Sequence, residues 1–151
     1  MTTNTRPLAV VTGASTGIGY ELAKCCAEHG FDLLVAADEP LIHKAVQDFR
    51  QIGIIADAIQ ADLATLEGVD KLYAAAHGRT VNALLANAGV GLGHGFLDQN
   101  FDEVRHVIDT KSRAQSISFK KLDWICEARP RADSDYRLYR RLYAGDVFGS
   151  L

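Results

Sequence analysis

Cysteine is scarce in this sequence, and its three copies share no task. Cys25 and Cys26 are adjacent and Cys126 lies far along the chain. Such spacing supports neither a metal site nor a disulfide framework. It reads as reduced, buried thiols in a cytosolic protein. Long apolar runs are also missing, and none approaches the length of a membrane span. Residues 1–7, Met-Thr-Thr-Asn-Thr-Arg-Pro, are polar, without the basic start and apolar stretch of a secretory leader. A cytoplasmic location with no membrane partner is therefore expected. What is present is hydrophobic material: 48% of 151 residues. That suffices for one globular domain with a core and excludes a disordered chain.

The net charge of −3 hides a break. Residues 1–110 carry 7 Lys/Arg against 14 Asp/Glu, whereas residues 111–151 carry 9 against 5. Sequence texture changes at the same place.

Before the break, strands and helices alternate. Leu8–Thr12 is an apolar strand. It runs into Thr12-Gly13-Ala14-Ser15-Thr16-Gly17-Ile18-Gly19 and then a helix to about Glu28. Strand, glycine-rich turn and helix together make a phosphate cradle. The glycines let backbone approach a ligand closely, and free amides at the helix start attract an anion. Phe31–Ala37 is a second strand, and Leu41–Arg50 a helix with Leu41, Ala45, Val46 and Phe49 on one face. Ile54–Gln60 is a third strand, followed by Asp62 and Leu63. Thr65 can cap a helix running to about His77. Val81–Ala86 is a fourth strand, followed by Asn87-Ala88-Gly89, a loop with Gly91, Gly93 and Gly95, and a helix from Phe101 to Thr110.

Apolar strands separated by amphipathic helices predict an α/β fold, a parallel sheet covered on both faces. Right-handed crossovers give a Rossmann-type, doubly wound order of 3-2-1-4, with ligands at the carboxyl ends of the strands. Residues 12–19, Asp38, Asp62 and 87–89 all sit at such ends. Asp38, about twenty residues past the glycine loop, suits the 2′-hydroxyl of a ribose and would repel a 2′-phosphate. NAD is thus expected in preference to NADP. His94 reads as a loop residue rather than a catalytic base.

These motifs resemble the short-chain dehydrogenase/reductase family. The likeness rests on Thr-Gly-x-x-x-Gly-Ile-Gly at 12–19, Asp62-Leu63 and Asn87-Ala88-Gly89, and covers about residues 6–110. It implies that Thr12, Gly13, Ser15, Thr16, Gly17, Ile18 and Gly19 surround the cofactor pyrophosphate. It also implies that Asp62 and Leu63 frame the adenine, while Asn87, Ala88 and Gly89 steady the sheet beside the nicotinamide.

The same resemblance implies a catalytic Ser, a Tyr-x-x-x-Lys and a helical Asn. None is present in its proper setting. Lys111 stands where the Asn is expected; Tyr136 is followed by Arg140, and Tyr139 by Tyr143. Arginine cannot share a proton at working pH. No catalytic residue and no metal ligand are assigned.

Residues 111–151 follow neither structural period for long. Back-translated in shifted frames, they spell Ile-Thr-Gly-Thr-Ile-Tyr and, later, a strand-like Ile-Leu-Ile-Thr-Gly-Ser of the family's type. The expectation is a coding sequence with two single-base losses. On that view 1–110 is an NAD(P)-binding Rossmann half-domain and 111–151 a non-family tail, irregular or helical and poorly ordered. The fourth strand becomes an apolar edge, and the family's usual oligomer, built largely from later helices, is not expected.

Three functions follow. The first is an NAD(P)-dependent oxidoreductase by descent, its intact relatives acting on a small alcohol or carbonyl and this chain inactive. The second is a non-catalytic nucleotide-binding module. The third is a basic-tailed interaction protein, suggested by Arg137, Arg140 and Arg141 among Tyr136, Tyr139 and Tyr143. Frame slippage explains that last pattern, so no nucleic-acid partner is expected.

Overall fold

The computed structural model describes residues 6–116 apart from positions 90, 94 and 115. The expectations placed on His94, Cys126 and most of the 111–151 tail lie outside these residues.

Four strands form one parallel sheet: β1 (Leu8–Thr12), β2 (Asp32–Ala37), β3 (Ala56–Gln60) and β4 (Val81–Ala86), in the expected order β3-β2-β1-β4. Between them run α1 (Gly17–Glu28), α2 (Ile42–Gln51) and α3 (Leu66–Ala76). After β4 come a short 3-10 turn (Phe96–Asp98), α4 (Phe101–Ile108) and a π-helical turn (Asp109–Ala114). No helix among the described residues is long and apolar enough to cross a membrane.

The central strands are apolar between Leu8 and Val11 and between Leu33 and Ala37 because both faces are covered. Alternate side chains of a strand point to opposite faces. Ala9, Val11, Leu33 and Val35 therefore pack with Ala23, Ala27, Ile42, Val46 and Phe49 from α1 and α2. Leu8, Val10, Leu34 and Ala36 pack with Val69, Leu72 and Ala76 from α3, and with Leu84 from β4. Among the described residues β4 pairs on one side alone, with β1, and so forms a sheet edge.

Three local expectations need correction. The buried face of α2 is Ile42, Ala45, Val46 and Phe49, while Leu41 is half exposed at 51%. Positions 42, 45, 46 and 49 share one stripe, and Leu41 precedes the first turn. The last helix ends at Ile108, two residues early, because its hydrogen bonding loosens into the π-helical turn. Cys25 is exposed rather than buried, on the solvent side of α1, beside a half-buried Cys26. Burial, then the neighbouring Cys25, pushes the Cys26 thiol up, away from the reactive thiolate.

Candidate functional site

The site begins where β1 ends. The buried Thr12 hydroxyl accepts hydrogen bonds from the backbone N–H groups of Asn87 and Ala88, each at 3.0 Å. The Asn87 side chain donates to Gly13 O at 3.3 Å, and Gly13 N donates to Ala36 O at 2.7 Å. The loop after β1 is thus tied to both neighbouring strands.

Two glycines are required by this packing. Gly13 has φ +67°, and a Cβ there would stand 2.8 Å from Ala88 Cα. A Cβ on Gly19 would stand 2.0 Å from Gly13 O. Gly17 differs: it has φ +60° and open space beyond it.

This loop delivers the chain into α1 with its first amides unspent. Thr16, the N-cap, makes no side-chain cap, and the first turn carries no acid. No described residue accepts from the amides of Gly17, Ile18 or Gly19. Four amides at a helix start need outside acceptors, and the helix dipole favours an anion there.

Above this helix start opens a cleft of about 290 Å³. Of the expected residues, Gly13, Ser15, Thr16, Ile18, Asp38, Asp62, Leu63, Asn87, Ala88 and Gly89 line it. Thr12, Gly17 and Gly19 do not. Thr12 and Gly19 are buried beneath the loop, and Gly17 faces a second, shallower hollow beside Leu22.

Charge on the wall is one-sided. Asp38, Glu39 and Asp62 line the cleft, and among the described residues no Lys or Arg does. The Ser15 hydroxyl donates to Glu39 Oε2 at 3.4 Å, linking the glycine loop to the turn after β2. One oxygen of Asp62 accepts from Ala64 N at 2.8 Å, which holds the loop after β3.

Sequence reasoning missed Glu39, His106 and Thr110. The last two reach the cleft from α4 and the turn after it, and Thr110 donates to His106 O at 2.8 Å. Their signal was a spacing of i, i+4, which puts both on one helix face.

A Tyr-x-x-x-Lys spacing does occur, at Tyr20 and Lys24, and the fold takes it away from the cleft. Tyr20 stacks at 5.0 Å on Phe49 of α2 and donates to Asp48 Oδ2 at 3.2 Å. Burial, and then the Asp48 carboxylate, pushes its phenol above 10.0. A tyrosine acting as a base needs the opposite shift. The tyrosine belongs to the packing of α1 on α2, and Lys24 is exposed.

The donor set fits a dinucleotide: free amides for a pyrophosphate, a carboxylate at the end of β2 for a ribose, and a glycine cradle that a Cβ would fill. Comparison with known proteins agrees. The family model for short chain dehydrogenases matches residues 7–118. An L-rhamnose 1-dehydrogenase (NAD(P)(+)) of Sphingomonas is 34% identical over 100 residues, 63% of this chain and 39% of that protein. The L-sorbose reductase of Gluconobacter frateurii, solved with NADPH and L-sorbose, superposes with TM-score 0.76 at 24% identity, over 83% of this chain and 49% of that one. A short-chain dehydrogenase of Sphingobium yanoikuyae, solved with NADPH, superposes with TM-score 0.70 at 26% identity, over 77% and 47%. The chain spans less than half the length of the curated relatives it matches.

Proposed function

The chain belongs to the short-chain dehydrogenase family, and on that premise we propose that it holds a nicotinamide dinucleotide in the cleft above α1. The observation that carries this reading is the start of α1, uncapped and free of acids beneath a glycine loop. In this reading the open start of α1, with Ile18 on the cleft wall, takes the pyrophosphate. Asp38 takes the adenosine ribose, and Asp62 and Leu63 border the adenine. Asn87, Ala88 and Gly89 border the other half. Thr12 serves by bracing the loop.

The cofactor preferred is NAD. The three carboxylates of the wall, with no Lys or Arg beside them among the described residues, support this, because a 2′-phosphate would bring further negative charge there. Two structural neighbours were solved with NADPH; their preference is not transferred.

The activity proposed for the intact lineage is hydride transfer between a nicotinamide and a small alcohol or carbonyl. When bound, the nicotinamide gives or takes the hydride. Residues 1–151 by themselves bind the cofactor without turning it over, since the one Tyr-x-x-x-Lys faces α2. Residues 1–110 act as the cofactor-binding half-domain, and 111–151 as a tail of which the family match takes in only 111–118.

Fluorescence titration with NADH and NADPH tests this. Expected are weak but saturable NADH binding, at least about tenfold weaker NADPH binding, and no NADH oxidation with a panel of carbonyls. Absence of saturable binding would overturn the dinucleotide reading. Tighter NADPH binding would overturn the NAD preference, and measurable oxidation the inactivity.

A further inference from the structure

We propose that Lys111 makes this site favour the reduced, uncharged nicotinamide ring over the oxidised, cationic one. The inference rests on the dinucleotide reading above. Sheet order places Asp38 and Asp62 at the ends of β2 and β3, with the glycine loop at the end of β1. A dinucleotide held at its centre by α1 then lays its second half over the end of β4, against Asn87–Gly89.

Lys111 stands at that end. It belongs to the π-helical turn after α4, and its stem crosses Gly89. A Cβ built on Gly89 would be 2.8 Å from Lys111 Cε and 3.2 Å from Cγ. Cε carries the ammonium, so the charge lies one bond beyond the atom nearest Gly89. Among the described residues this ammonium has neither a hydrogen bond nor an ion pair. The neighbouring acid Asp109 pairs instead with Arg105 at 3.8 Å. The carboxylates of the cleft, Asp38, Glu39 and Asp62, stand on the adenosine side; of the titratable groups on α4 and its turn (Asp102, Glu103, Arg105, His106 and Asp109), His106 lines the cleft.

A positive charge at this place repels the pyridinium of the oxidised cofactor and does not repel the neutral dihydropyridine. The reduced cofactor's extra unit of net negative charge is this same lost ring charge, so a single electrostatic effect is at work. Lys111 is exposed, and solvent limits the effect to about threefold in relative affinity.

The test compares dissociation constants in the wild type, Lys111→Gln and Lys111→Arg, with NADH followed by its fluorescence and NAD+ by displacement of NADH. The ratio of the NAD+ constant to the NADH constant is expected to fall about threefold in Lys111→Gln and to hold in Lys111→Arg. In the wild type it is expected to shrink at about 0.5 M salt. An unchanged ratio in Lys111→Gln, with both cofactors still bound, overturns this inference alone. Failure of the wild type to bind NADH overturns the dinucleotide reading and this inference with it.

Discussion

Helices α1 and α3 begin alike in their packing and oppositely in their chemistry. Each follows a strand of the same sheet and carries an early glycine beneath a loop carbonyl. A Cβ on Gly19 would meet Gly13 O at 2.0 Å, and one on Gly68 would meet Asp62 O at 2.0 Å. Yet α3 is closed by its own sequence. The Thr65 hydroxyl accepts from Gly68 N at 3.1 Å, and Glu67 sits in the first turn. In α1 no side chain caps and the first turn holds no acid. A helix that completes its own start serves the fold; one that leaves its amides open offers them to a ligand.

The largest effect on this comparison should come from Gly19→Val. Its added carbons meet the backbone oxygen of Gly13, and overpacking of this kind costs about 3 kcal/mol. Urea denaturation should register that loss, and NADH binding should vanish with it. If stability and binding survive unchanged, the cradle is not as tight as described.

Exchanging the two caps should come next. Thr16→Asp gives α1 the acid that α3 has. Its melting temperature should rise by a few degrees, while NADH affinity should fall at least about tenfold from like charge beside the pyrophosphate. Thr65→Ala is the converse: a stability loss of about 1 kcal/mol with little change in affinity. Equal effects of both on affinity would erase the distinction between the two helices.

The smallest effect lies at Tyr20, on the side of α1 turned from the cleft. Its phenol titrates above 10.0 in the fold, so the folded state holds a proton that the unfolded chain releases first. The associated stability is intact below pH 10.0 and is lost as pH climbs through the raised value. Between about pH 9 and 11, Tyr20→Phe should lose less stability than the wild type, as followed by thermal melts. NADH affinity at neutral pH should not move.

Much of this was legible in the sequence because it depends on local patterning. The run Leu8–Thr12 needs two covered faces, Thr65 is a recognisable cap, and strand-end loops of a parallel sheet must converge. Other features depend on distant neighbours. Whether Thr12 touches ligand or braces the loop depends on where Asn87 and Ala88 fall. The i, i+4 spacing puts His106 and Thr110 on one helix face, but that this face turns to the cleft depends on how α4 packs, which no local pattern encodes. Tyr20 and Lys24 show the reverse hazard: a catalytic spacing on a helix whose neighbour takes the tyrosine for packing.

The Thr12 hydroxyl also sets an order of events. It holds the amides of residues 75 and 76 positions further along, so that clasp cannot close until all the intervening chain has been made and β4 has found β1. Contacts of such long sequence separation form slowly. During synthesis, β1, β2 and β3 can pair while the mouth of the cleft still lacks its far wall, so the glycine loop gains this brace late.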